Sequence, residues 1–105
     1  MRYDFDLTLI GGTYIQDEYG NYAKRETETV VYCDLRSVTR TEFYSSAQAG
    51  LNPSDVFVIR AYEYNGENEV EFMGDRYAVI RTYRTDEETI ELICEKKVVK
   101  DGGNY

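Results

Sequence analysis

Residues 69–83 read Glu69-Val70-Glu71-Phe72-Met73-Gly74-Asp75-Arg76-Tyr77-Ala78-Val79-Ile80-Arg81-Thr82-Tyr83. Acidic and apolar residues alternate from Glu69 to Phe72, which is the period-two signature of a strand with one buried face, and Gly74-Asp75 supplies turn chemistry. The continuation sets Tyr77, Val79, Arg81 and Tyr83 on one face and Ala78, Ile80 and Thr82 on the other. A β-hairpin is the reading. Polar Arg84 to Glu88 then leads into a further strand, Thr89-Ile90-Glu91-Leu92-Ile93-Cys94-Glu95. Upstream, Val56 to Tyr64 is strand-like and Asn65-Gly66-Glu67-Asn68 is a turn. Short strands at this spacing predict a mostly β chain folded as a small antiparallel β-barrel or sandwich.

The amino-terminal half extends the pattern. Tyr3, Phe5, Leu7 and Leu9 alternate with polar residues, a half-buried strand that Gly11-Gly12 is expected to end or bulge. Asp17-Glu18-Tyr19-Gly20-Asn21 carries the Gly and Asn of a tight hairpin. Its return arm from Tyr22 is polar at first, then β-branched through Thr27, Thr29, Val30 and Val31 to Tyr32 and Cys33. This predicts a long, partly exposed strand that enters the core at its far end.

The strand pattern stops between Val38 and Gly50. Thr39 or Thr41 is a candidate N-cap, Gly50 a carboxy-terminal stop, and Phe43 with Ala47, like Tyr44 with Gln48, shares a face at helical spacing. One short helix in a long connection is expected here, too short to be stable without packing or a partner. Leu51-Asn52-Pro53-Ser54-Asp55 follows as a loop holding the only proline. The organisation is therefore a single domain over residues 1–99 with a flexible tail over 100–105, and there are no internal repeats.

Composition narrows the function classes. The net charge is -8 and the isoelectric point about 4.5, which argues against holding nucleic-acid phosphates, since Lys and Arg supply that affinity. No stretch approaches the ~20 consecutive apolar residues of a membrane span, and the charged, aromatic start predicts no signal peptide and no membrane partner. Cys33 and Cys94 lack CxxC spacing and lie in strand-like apolar surroundings. They are expected to be buried free thiols of an intracellular protein. Eleven tyrosines with no tryptophan offer large contact area with a polar tip, suited to interfaces.

Catalytic chemistry is not in view. The chain has no histidine, so a His-based triad, an imidazole base and an ordinary His zinc site are all excluded. The carboxylate pairs Asp4 with Asp6 and Glu69 with Glu71 read as solvated outer strand faces. Gly11-Gly12 and Gly102-Gly103 open no helix and carry no phosphate-loop lysine, and residues 17–21 lack the ligand spacing of an EF-hand. No enzyme activity, metal or cofactor is expected.

Two stretches carry a resemblance. Val38-Thr39-Arg40-Thr41-Glu42-Phe43-Tyr44-Ser45-Ser46-Ala47-Gln48-Ala49-Gly50-Leu51-Asn52-Pro53 resembles the sequence around the Glu-aromatic-Tyr element of the phage head-tail joining family. These are the head closure, or stopper, proteins of long-tailed phages. Residues 69–83, continued through Glu91-Leu92-Ile93-Cys94-Glu95, are similar to that family's Gly-x-x-Tyr-x-Val hairpin and closing strand. With the opening strand, the resemblance spans most of Met1 to Lys97.

The resemblance implies a structural virion component, a β-barrel that assembles with itself as a ring homo-oligomer. The ring would lie between the portal and adaptor ring proteins and the tail terminator or tail tube protein. It would seal packaged DNA, a blocked and non-specific neighbour, inside the capsid. Localisation would be the head-tail interface of the virion, and the host cytoplasm during assembly. Arg40, Glu42, Phe43, Tyr44, Gln48, Leu51 and Asn52 would then supply subunit or partner contacts or a channel loop. On the alternative reading of the same segment, Phe43 and Leu51 plug the barrel mouth. Two other function classes compete: a generic OB- or SH3-like binding module for a peptide or nucleic acid, and an enzyme with an acidic site. The absence of a basic, aromatic-studded groove counts against a nucleic-acid module.

Overall fold

A computed structural model describes residues 4–97, and the expected tail over 100–105 lies outside the described residues. The alternating run and the β-branched run form the two longest strands, β1 (Phe5–Gln16) and β2 (Tyr22–Arg36). The turn between them is built on Asp17, whose carboxylate Oδ1 accepts hydrogen bonds from the backbone N–H of Tyr19 and of Asn21. Then come helix α1 (Arg40–Gln48), β3 (Asp55–Arg60), a single 3-10 turn (Ala61–Glu63), β4 (Glu69–Phe72), β5 (Asp75–Arg84) and β6 (Thr89–Lys96).

All pairings are antiparallel, and the sheet closes in the order β1-β2-β3-β6-β5-β4 when Thr8–Ile10 of β1 meets Glu69–Glu71 of β4. Closure decides between the two expected architectures: the fold is a barrel. The interior holds Leu7, Leu9, Val31, Cys33, Phe57, Ile59, Val70, Phe72, Tyr77, Leu92 and Cys94. Phe57 sits at its centre, with ring centroids 5.0 Å from Phe72 and 5.2 Å from Tyr77. Val56, Val58 and Ile93 point the other way and form a second, outer cluster with Val38 and Ile80 packed on it. Strand β3 is buried on both faces, which explains why Val56 to Ile59 is apolar without alternation.

Four local expectations are corrected. Gly11-Gly12 neither ends nor bulges β1, because the β1–β2 register runs unbroken from Phe5↔Cys33 to Gln16↔Tyr22. The glycines serve cross-strand proximity instead: a Cβ on Gly12 would lie 2.6 Å from Lys24 Cε, and one on Gly11 3.0 Å from Thr27 Oγ1. Second, the strand expected over Val56 to Tyr64 stops at Arg60. There the Ala61 N–H donates to the Glu88 carbonyl and the chain turns, so that the Tyr64 hydroxyl can donate to the Glu67 carbonyl at 2.7 Å. Third, the β4–β5 turn residues are Met73 and Gly74, both at positive φ, while Asp75 already pairs with Phe72. Positive φ at both central positions is the hairpin geometry whose twist matches the strands.

The fourth correction concerns β5. Val79 pairs with Cys94 but the next paired residue, Arg81, meets Ile93, leaving Ile80 as the extra residue of a bulge. A one-residue insertion reverses which face every later side chain takes. Cross-strand partners share a face, so Thr82, opposite Leu92, takes the inner side of the strand, where it stays exposed near the strand end. Arg81 and Tyr83, opposite Ile93 and Glu91, turn outward, away from the side of Tyr77 and Val79.

Candidate functional site: the α1 connection

The helix begins where expected. The Thr39 hydroxyl accepts the Glu42 N–H at 3.2 Å, satisfying one of the free donors of the first turn, and the Thr39 carbonyl accepts the Phe43 N–H as the first bond of the helix. Beyond Gln48 the Gly50 N–H donates to the Ala47 carbonyl and the Leu51 N–H to the Ser46 carbonyl, which closes the end.

The sides of this helix are reversed relative to an ordinary surface helix. Glu42 and Ser46, one turn apart, face the barrel: the Glu42 side chain is 13% exposed and Ser46 is 9% exposed. Phe43 and Tyr44 face solvent at 42% and 61%, their rings set edge to face with centroids 6.1 Å apart. A surface helix normally turns its apolar stripe to the core. Here Val56 and Ile93 of the outer cluster line the floor of the cleft beneath the helix, and the link from α1 to the barrel is polar.

The main contact is ionic. Glu42 Oε1 lies 3.2 Å from Arg81 Nε, and the bulge at Ile80 is what aims Arg81 at the helix. Alongside, Arg36 Nη1 meets Glu91 Oε2 at 2.7 Å. Between helix and barrel lies a cleft of about 280 Å³, walled by these pairs with Thr39, Thr41, Ser45 and Tyr83. Each arginine is matched to a carboxylate within the chain, so the cleft presents no spare charge to an ionic ligand. Farther along, the Asn52 N–H donates to Glu95 Oε1 at 2.9 Å, pinning the end of the connection to β6.

Of the expected site residues, Arg40, Phe43, Tyr44, Gln48 and Asn52 are exposed, Leu51 is half-buried, and Glu42 is turned inward as the tether. Phe43 lies outside both core clusters, so it does not plug the barrel. Arg81 was not foreseen as part of the site. Only the bulge brings it there, and the run Ala78-Val79-Ile80 carries no signal of a bulge. Among the described residues no three His, Cys, Asp or Glu side chains converge as for a metal ion, and no helix is long and apolar enough to cross a membrane.

No family model matches the chain, and no curated protein matches it.

Proposed function

We propose that this chain is a structural connector subunit, a head closure protein that joins a ring between the portal and adaptor rings and the tail of a long-tailed phage. It would have no catalytic role. The observation that carries the reading is the reversed polarity of α1. A helix that spends its polar side chains on its own barrel and presents Phe43 and Tyr44 to solvent has an aromatic surface for a partner, and aromatic anchors dominate protein contacts. The resemblance of residues 38–53 and 69–95 to the head-tail joining family supports the same reading, on which the contact would lie in residues 38–53. The acidic balance also supports it, since a subunit of net charge -8 beside a DNA channel would let DNA slide past.

Ring assembly in such a connector is templated, because many weak heterologous contacts act together only when a neighbouring ring aligns them. The test is electron microscopy of the purified protein mixed with portal and adaptor rings from the same gene neighbourhood. An added ring of density below the adaptor is expected. Bare adaptor rings, with this protein free in the background, would overturn the proposal.

A further inference from the structure

Strand β2 leaves a long edge open. Its one edge is taken by β1, and β3 meets the other only from Asp34 to Arg36. Among the described residues the edge over 22–33 has no backbone partner, and residues 21–30 are all exposed. An unpaired edge rich in β-branched residues is a template for another strand. We propose that a second copy of this chain occupies it. The two β2 strands would pair antiparallel about a two-fold axis at Glu26, making one continuous sheet in the order β1-β2-β2-β1.

The occupant follows from charge and register. A two-fold axis normal to the sheet keeps paired residues on one face, so the axis must pass beside a residue rather than between two. Centred on Glu26, the register sets Lys24 of each copy opposite Glu28 of the other, and Tyr22 opposite Val30. Tyr22 and Val30 are 68% and 67% exposed in the single chain. Opposite charges and aromatic–β-branched pairs are the combinations that stabilise a ladder. The two Glu26 side chains meet at the axis, but each has the Arg76 guanidinium of its own barrel 3.6 Å away to offset the repulsion.

Neighbouring registers are worse. Centring on Thr27 sets Glu26 opposite Glu28 twice. Centring on Arg25 keeps two opposite-charge pairs, Lys24 with Glu26, but sets Arg25 against itself and Tyr22 against Glu28 in place of Val30. The favoured ladder also ends at Val30, short of Asp34, where β3 joins β2. A two-fold contact is closed, whereas ring contacts are heterologous. The pairing is therefore a property of the free protein, independent of the connector reading, and has to open before a subunit enters a ring.

Sedimentation equilibrium of the full chain over a wide concentration range tests this. Wild type is expected to be a reversible monomer–dimer mixture. Lys24→Glu turns both cross-strand attractions into repulsions and should weaken the dimer by about tenfold or more. Glu28→Lys alone should do the same, and Lys24→Glu with Glu28→Lys should restore dimerisation. All these side chains are exposed, so circular dichroism and melting temperature should match wild type in every variant. Tyr44→Ala with Gln48→Ala should leave the dimer intact, separating this edge from the α1 surface. A wild type that stays monomeric at all concentrations, a dimer that Lys24→Glu leaves unchanged, or a double exchange that fails to rescue would each overturn the proposal.

Discussion

Burial sets the chemistry of Cys33 and Cys94. Both are fully buried free thiols of the inner core, and burial, with lesser contributions from Asp34 and Asp6 for Cys33 and from Asp55 for Cys94, pushes each up to about 12. Neither is therefore a thiolate at neutral pH, and neither should react with thiol reagents until the chain unfolds. Intact mass under non-reducing conditions should equal that of the reduced chain. A mass lower by two hydrogens that reverses with reductant would contradict this. The same burial sets an alkaline limit. Between the ordinary thiol value of 9.0 and about 12 the unfolded chain loses protons that the folded chain keeps, so stability falls as pH rises through that window. Glu69 works at the acid end: hydrogen bonds from Lys97 and Arg76 hold its carboxyl below its ordinary value of 4.5. Its contribution is present above that value and is lost as pH falls through the lowered one. Glu69→Gln should cost about 1 kcal/mol at neutral pH, read by urea denaturation, and should flatten the acid limb of the stability profile.

Among the elements, α1 depends least on its own sequence. Nine residues are too few to hold a helix in water, and its inward side offers Glu42 and Ser46 rather than apolar area. The Glu42–Arg81 pair is thus the specific link between helix and barrel. Arg81→Ala should leave the melting temperature within a few degrees of wild type, because half-exposed ion pairs contribute at most about 1 kcal/mol. It should nonetheless speed hydrogen exchange over residues 40–48, while exchange in β3 and β6 stays unchanged. Equal protection of α1 in the variant would show that other contacts hold it. The strands and the helix cap were legible beforehand because alternation, Asp17-to-Asn21 turn chemistry and the Thr39 cap are local signals. The bulge was not, since Ile80 sits among apolar neighbours that fit either face. The unbroken passage through Gly11-Gly12 was hidden for a related reason. Glycine marks a break and a close cross-strand approach alike, and only Lys24 and Thr27 on the opposite strand tell the two apart.

For the whole molecule, barrel closure is a long-range event. The β1–β4 pairing joins Leu9 to Val70, and no local pattern announces it, which is why barrel and sandwich stayed equal until the register was seen. The segment from Thr39 to Pro53 could be located from its broken strand pattern. Its polarity, with the acid inward and the aromatic pair outward, depends on what the outer cluster leaves uncovered. That polarity underlies the central claim: this connection is a contact surface mounted on the barrel and not part of its core.

The most direct test is the double substitution Tyr44→Ala with Gln48→Ala, placed in the phage genome that the proposed connector function calls for. Both side chains are exposed, and among the described residues Phe43 is the one aromatic ring that Tyr44 meets. The melting temperature of the purified variant should stay within a few degrees of wild type, while DNA retention in filled capsids or tail attachment is impaired. Capsids that keep their DNA and join tails normally, or a large loss of thermal stability in the purified variant, would contradict the account.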